Sequence, residues 1–297
     1  MTSAASFRAI SASRPGTSHA QRAGRALLRD KAALASGVVL LLIVLLILLA
    51  SLVSPRDPLL VDATRRLAPP LTQGYILGSD EIGRDILSRL LHGGRTSLTV
   101  AIVPVLIATT IGGFLGMVGG YFQGRTDTVI MRTMDVVLAF PSVLLAIGVA
   151  AALGPGTGNL MIALVVVAVP SVARVVRASV LQASQFDYVL AARAVGASHT
   201  RIAFTQILPN VLAPVIVFAS LETARTMILA SGLSFLGLGV QPPQPDWGAM
   251  LATGRQYMIV APHVATVPGL VIFLVTLSIN TLGDGLRDAW DPRLGEA

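Results

Sequence analysis

The stretch Asp187–Asn210, DYVLAARAVGASHTRIAFTQILPN, decides the fold. Ala191-Ala192-Arg193-Ala194-Val195 reads as helix, because these residues are good or tolerable helix formers. Gly196 fits a helix stop, since glycine takes the left-handed conformation at little cost. Ser198 can cap a second short helix running through Ile202 and Phe204 to Ile207-Leu208, and Pro209 is expected to break it and start the next segment. Val189, Ala192 and Val195 fall three apart and form one apolar stripe. The expectation is a small helix–turn–helix with an apolar face, flanked by Arg193 and Arg201. Long apolar spans lie on both sides. Such a shape suits docking into a groove on a water-soluble partner.

Composition makes those flanks membrane spans. The chain has 297 residues, 54% hydrophobic and 12% charged, with a mean hydropathy of +0.75. Soluble domains carry about 25% charged residues. The net charge of +7 is concentrated before the first span: Arg8, Arg14, Arg22, Arg25, Arg29 and Lys31 stand against the single acid Asp30. A basic block before a hydrophobic run is the positive-inside signal and suits anionic lipid head groups. No aromatic residues interleave with it for base stacking, so nucleic acid is not an expected partner. The absence of cysteine excludes disulfides and thiol chemistry.

Residues 1–31 read as a basic cytoplasmic tail and 32–53 as the first span, whose apolar run exceeds the ~7–15 residues of a signal core and meets the ~20 needed to cross a bilayer. Residues 54–95 read as an extracytoplasmic loop in which Arg56, Arg65, Arg66, Arg84 and Arg89 balance Asp57, Asp62, Asp80, Glu81 and Asp85. A five-helix core is expected over 96–285. Its spans fall near Thr96–Gly120, Ile130–Leu153, Leu160–Val176, Val211–Leu236 and His263–Leu282, and the 187–210 loop belongs to it. A cytoplasmic tail is expected over 286–297. Gly112, Gly116 and Gly120 offer a small-residue face for close helix contact. Pro104, Pro141, Pro170, Pro214 and Pro268 fall inside spans two to six. Span one has no proline, is apolar all round, and is expected to lie outside the working core. The fold class is therefore all-α, a polytopic membrane protein with six transmembrane helices.

Four motifs carry a resemblance. Ala191-Ala192, Gly196 and Ile207-Leu208-Pro209 resemble the "EAA" loop of permease subunits of binding-protein-dependent ABC importers, with Leu190 where that family has an acid. Residues 77–91, LGSDEIGRDILSRLL, resemble the LGTDxxGRDxxSRLL signature of dipeptide/oligopeptide permeases. Residues 234–248, SFLGLGVQPPQPDWG, and Asn280, 283–288 and 291–293 resemble that family's SFLGLG…PP..WG and N..GDGLRD..DPR. Their order and the extra first span resemble the C-type permease.

The resemblance implies a type I ABC importer permease fold in the inner or plasma membrane, with both termini cytoplasmic. It implies a coupling loop for the ATPase built on Asp187, Tyr188, Ala191, Ala192, Arg193, Gly196, Ala197, Ile207, Leu208 and Pro209. Implied partners are a homologous B-type permease completing a heterodimer, two ABC ATPase subunits holding ATP and Mg, an extracytoplasmic substrate-binding protein and membrane lipid. Asp80, Arg84, Asp85 and Trp247 are expected to face the binding protein, and Trp247 also suits the membrane interface. Peptides are the expected cargo, with nickel chelates or glutathione as alternatives.

Other chemistry has little foothold. Asp80, Glu81 and Asp85 lack Ca²⁺-loop spacing, and Arg84 and Arg89 compete for them, so internal ion pairs are expected. Glu222 and Arg225 lie within span five, where charges mark function, and are expected either to line the translocation path or, given their i,i+3 spacing, to form a structural pair at a helix or subunit interface. A phosphate loop needs Gly-Lys-Ser/Thr, and the one lysine, Lys31, follows Asp30. An intramembrane enzyme finds no HExxH or GxSxG; His19, His92, His199 and His263 are dispersed. No cofactor, metal or catalytic residue is expected in this chain. A receptor or scaffold would differ by failing to bind an ATPase.

Overall fold

The computed structural model describes residues 30–72 and 74–290. The basic tail before Asp30 and the Asp291-Pro292-Arg293 motif lie outside them. An apolar chain must satisfy its backbone internally, and among the described residues the regular structure is helical, with two isolated bridges, Thr72 to Tyr75 and Ser79 to Asp85. Among the described residues five helices are long and apolar enough to cross a membrane, and one bent helix pair makes a sixth candidate span.

Helix α1 is Lys31–Leu48, capped by the Asp30 carboxylate, which accepts from the Ala32 and Ala33 amides. It continues after Leu49 as α2, Ala50–Val53. It packs mainly on the last long helix, and Leu41, Leu42 and Leu48 point outward. Span one thus stands at the margin of the bundle.

Helix α3, Ile86–Phe122, is the central element. It begins ten residues before the expected Thr96, because Asp85 caps it: the carboxylate accepts from the Ser88 amide at 2.7 Å and the Ser88 hydroxyl at 2.6 Å. The expected 54–95 loop therefore ends at Asp85.

The third span departs most from expectation. It divides into α4, Gly124–Leu138, and α5, Ser142–Leu153, which meet at 86°. Pro141 is not inside a helix. It precedes α5, and the residue before a proline is driven out of the helical region. Residues 121–129, which fall between the expected second and third spans, are largely helical: α4 begins at Gly124, and its carboxylates reach the next long helix, α6, Thr157–Ala183. Asp127 pairs with Arg177, and Asp135 with Arg174 at 2.9 Å.

Helix α3 lies on α6 along the glycine face. A Cβ on Gly112 would stand 2.6 Å from the Val169 carbonyl oxygen, and one on Gly120 would stand 2.9 Å from the Val180 Cβ. The glycines are what let the backbones approach.

The chain then forms α7, Asp187–Ala194, α8, His199–Ile202, a π-turn over Ala203–Ile207, and α9, Leu208–Phe235. Pro209 does not break the helix as expected; it sits in the first turn of α9. A proline cannot donate to the carbonyl four residues back, and the widened π-turn directly before it absorbs the mismatch. After α10, Trp247–Gly254, the last helix is α11, His263–Trp290. It carries the Gly283–Asp288 motif in its final turns rather than in a tail. Pro104, Pro170, Pro214 and Pro268 are inside helices, as expected.

Candidate functional site

The helix–turn–helix folds as its local chemistry dictates. Gly196 takes φ +78°. Its amide donates to the Arg193 carbonyl at 3.0 Å, and the Ala197 amide donates to the Ala192 carbonyl at 3.0 Å. These paired bonds close α7 in a Schellman motif, and the Ala192 and Ala197 side chains pack inward beside it. Ser198 caps α8, accepting from the Arg201 amide at 3.4 Å.

Burial divides the motif in two. Val189, Ile202 and Ile207 are buried with Val176, Val180 and Ala183 of α6 and Tyr121 of α3. The expected stripe of Val189, Ala192 and Val195 is therefore split. The first two hold the loop to its own bundle, while Val195 is 84% exposed. The free surface is formed by Tyr188, Leu190 at 50% exposure, Ala191, Arg193, Val195 and Gly196, with Asp187 in the first turn of α7. Leu190 thus adds apolar surface to the outward face. Phe186 and Tyr188 stack there at 5.6 Å. Leu208 and Pro209 lie beyond the π-turn, apart from that face.

One contact was not readable from the sequence. The Tyr121 hydroxyl, at the end of α3, lies 2.9 Å from Nδ1 of His199, 78 positions away. The rings meet edge-on at 5.7 Å, and the Arg193 guanidinium lies 5.4 Å from the Tyr121 ring centre. This clasp ties the loop directly to α3. It borders an apolar groove of about 610 Å³ between α3 and α9, lined by Phe114, Met117, Phe204 and Leu212 among others.

The opposite end of the bundle is knit by the second and third motifs. Asp80 accepts from the Arg84 amide at 2.9 Å and its Nε at 2.6 Å, and lies 3.5 Å from Arg89 Nε. Glu81 accepts from Arg84 Nη2 at 2.9 Å. Tyr75 donates to the Gly83 carbonyl at 3.0 Å under the Arg56 guanidinium, and burial pushes its phenol up from the ordinary range. Gly83 has φ +87°, and a Cβ there would collide with the Asp62 carbonyl.

From the 234–248 motif, Trp247 is 1% exposed and its Nε1 donates to the Leu90 carbonyl at 2.9 Å. Asp246 accepts from the Ser97 hydroxyl at 2.7 Å and from the Ala249 amide at 3.0 Å. Asp80, Asp85 and Trp247 were expected to face a binding protein, and Trp247 to sit at the membrane interface. They are buried, and Arg84 is mostly covered. The reason is mutual pairing: Asp80 accepts from Arg84, one oxygen of Asp85 accepts from Ser88, and Trp247 donates to the Leu90 carbonyl, while the second Asp85 oxygen, Oδ1, is buried without a hydrogen-bond partner among the described residues.

Glu222 and Arg225 form an i,i+3 contact at 3.7 Å, with Glu222 turned inward and Arg225 outward.

Comparison with known proteins agrees with this architecture. Residues 108–296 match the family model described as the binding-protein-dependent transport system inner membrane component, and residues 18–70 match the N-terminal transmembrane domain of oligopeptide transport permease C. A glutathione transport system permease protein of Pectobacterium atrosepticum is 44% identical over 91% of this chain and 90% of its own. A di/tripeptide transport system permease protein of Pseudomonas aeruginosa is 45% identical over 90% of each, and a dipeptide transport system permease protein of Haemophilus influenzae 40% identical over 90% and 92%. The MetNI methionine ABC transporter, solved in inward-facing conformations, shares the fold with a TM-score of 0.57 at 18% identity, over 67% of this chain and 95% of that one. The chain belongs to the binding-protein-dependent transport system inner membrane component family and is a transmembrane permease subunit of an ABC importer.

Proposed function

We propose that this chain is the C-type permease of a peptide importer. Paired with a homologous B-type permease, it forms half of the pathway for di- or oligopeptides. Peptides are favoured because relatives of 40–45% identity are named for dipeptides and di/tripeptides, and glutathione is itself a peptide-like solute. Both termini and the α7–α8 loop lie on the cytoplasmic side, in keeping with the basic tail. The substrate-binding protein docks at the opposite end. ATP and Mg are held by two partner ATPases, and this chain catalyses nothing itself.

The observation that carries the reading is the division of the loop. Val189, Ile202 and Ile207 anchor it, while Tyr188, Leu190 and Val195 are left bare. A short helix with one face anchored and an apolar face free suits a groove on a soluble partner. When the ATPases close on ATP, they displace this helix and the bundle alternates its access.

Val195→Asp tests the reading without touching the anchor. The tagged complex is purified from its native membrane in mild detergent. We expect at least a ~10-fold loss of co-purified ATPase, as for loss of an interface anchor, with the second permease retained. Normal ATPase recovery and normal peptide uptake by Val195→Asp would refute the assignment.

A further inference from the structure

Helix α9 carries two charges near its middle, Glu222 and Arg225. The fold treats them differently. Glu222 is 8% exposed, whereas the Arg225 side chain is 73% exposed. Three other arginines on the long helices have closer partners. Arg174 holds Asp135 at 2.9 Å, Arg177 holds Asp127, and Arg95 donates to the Ile47 and Leu48 carbonyls at 3.1 and 2.9 Å. Arg225 has five N–H donors and, among the described residues, a single polar contact at 3.7 Å.

The other faces of α9 are occupied. Ala224 and Met227 pack with Val275 and Ile279 of α11, while Ala230 and Leu233 pack with Leu160 and Leu164 of α6. Arg225 shares the remaining bare stripe with Ile228. It lies ten residues from the helix end at Phe235, about 15 Å at the α-helical rise. That is farther than its side chain reaches, so its charge does not extend to that end of the helix. A charge at such depth faces a water-filled path or a protein partner, not lipid.

We propose that Arg225 is a carboxylate-recognition residue inside the translocation pathway, taking the free C-terminal carboxylate of a passing peptide. The proposal rests on the peptide-permease reading above. The planar guanidinium fork matches a carboxylate through two parallel N–H···O bonds. In that reading a peptide's terminal carboxylate is the anion that must travel past this face. Glu222, one turn away, gives the guanidinium a loose partner to return to when the anion leaves. Binding along a conduction path must be weak enough to release.

The test uses the whole complex, both permeases and the ATPases, in proteoliposomes. Saturating binding protein is loaded with dialanine or dialanine amide. Loading to saturation removes the binding protein's own preference from the turnover rate. Wild type is expected to turn over the free acid roughly tenfold faster than the amide, the size of one charge-assisted bond. Arg225→Gln is expected to bring that ratio to about one by slowing the acid, with subunit composition unchanged. Arg225→Lys keeps the charge without the fork and falls between.

An Arg225→Gln complex that keeps the wild-type ratio overturns the proposal. One that sheds the second permease also overturns it and assigns Arg225 to an ion pair between subunits. Wild type importing acid and amide equally refutes the inference but leaves the peptide reading standing. Wild type importing neither refutes that reading itself.

Discussion

Removing the imidazole of His199 separates the α7–α8 loop from α3 without unfolding either. The side chain makes two kinds of contact, a hydrogen bond with the Tyr121 hydroxyl at 2.9 Å and an edge-on ring contact at 5.7 Å. A neutral hydrogen bond is worth about 0.5–1.5 kcal/mol net, and an aromatic edge contact about 0.5–1.5 kcal/mol. His199 is exposed, so water competes for the hydrogen bond and its lower end applies. The clasp is then worth about 1–2 kcal/mol. The anchors are larger, since burying Val189, Ile202 and Ile207 contributes about 1.5–3 kcal/mol for each side chain. The loop therefore stays folded when the clasp is lost, and what falls is the free energy linking its position to that of α3. Coupling energies between sites are typically about 1–3 kcal/mol, so the clasp is a large share of one.

His199→Ala is expected to lower peptide uptake per ATP hydrolysed by about 5–30-fold, from the ~1–2 kcal/mol above. The ATPases should remain bound. Tyr121→Phe removes the hydroxyl alone and is expected to lower it by about 2–5-fold. Because both changes break one contact, the double variant should be no worse than His199→Ala. The assay measures uptake and phosphate release in the same proteoliposomes. Wild-type uptake per ATP in His199→Ala would refute the reasoning, and so would losses that multiply in the double variant.

Two further predictions concern the frame. Asp246→Ala removes the α10 cap, worth about 0.5–2 kcal/mol, and the buried charged bond to Ser97, worth about 1.5–3 kcal/mol. It should destabilise the purified chain by about 2–4 kcal/mol in denaturant unfolding, with Asp246→Asn losing less; a change below about 0.5 kcal/mol, the size of an ordinary surface substitution, would show that the Ser97–Asp246 link does not hold α3 to α10. Gly116→Leu places its Cβ 2.8 Å from the Val176 Cβ, forcing α3 off α6 at about 1–3 kcal/mol or more; the folded complex should be lost on size exclusion, whereas Gly113→Ala, with open space at its Cβ, should elute as wild type.

The turn at Gly196 was legible because its chemistry is local. A glycine stop and a serine cap determine it within about six residues, and the Schellman bonds follow. The start of α3 was not. Asp85 lies among arginines and acids that look like a solvated loop, and only their mutual pairing turns that polar run into a buried cap. The same pairing hid Asp80, Asp85 and Trp247. A polar motif reads as surface until its partners are known, and Trp247 finds its acceptor at Leu90, 157 positions away. The break at Pro141 escaped for the opposite reason. Hydropathy runs smoothly through Leu138–Leu153, but Asp127 and Asp135 are drawn to Arg177 and Arg174 of a later helix, which turns α4 away from α5. The apolar stripe of α7 was legible as a pattern but not as a destination. Periodicity marks a buried face without saying what buries it.

The contacts also decide how displacement of the loop can travel. Gly112, Gly116 and Gly120 of α3 each receive a turn of α6, so sliding one helix along the other would drive a glycine position against side chains that now sit between turns. Two ion pairs fix α4 to the same helix. Helices α3, α4 and α6 are thereby interlocked, and packed cores of this kind switch as bodies rather than deform continuously. The loop grips that body twice, through the Val189–Val180 cluster on α6 and the His199–Tyr121 clasp on α3. Its link to α9 passes through the Ala203–Ile207 π-turn and Pro209, where the regular helical hydrogen bonding is interrupted. Force on α7 thus reaches α3 and α6 directly, and reaches α9 both through the interrupted π-turn and through the side-chain packing of α9 on α6. Helix α9 bears Arg225 on its bare stripe, so any shift of the interlocked body also changes what that guanidinium faces.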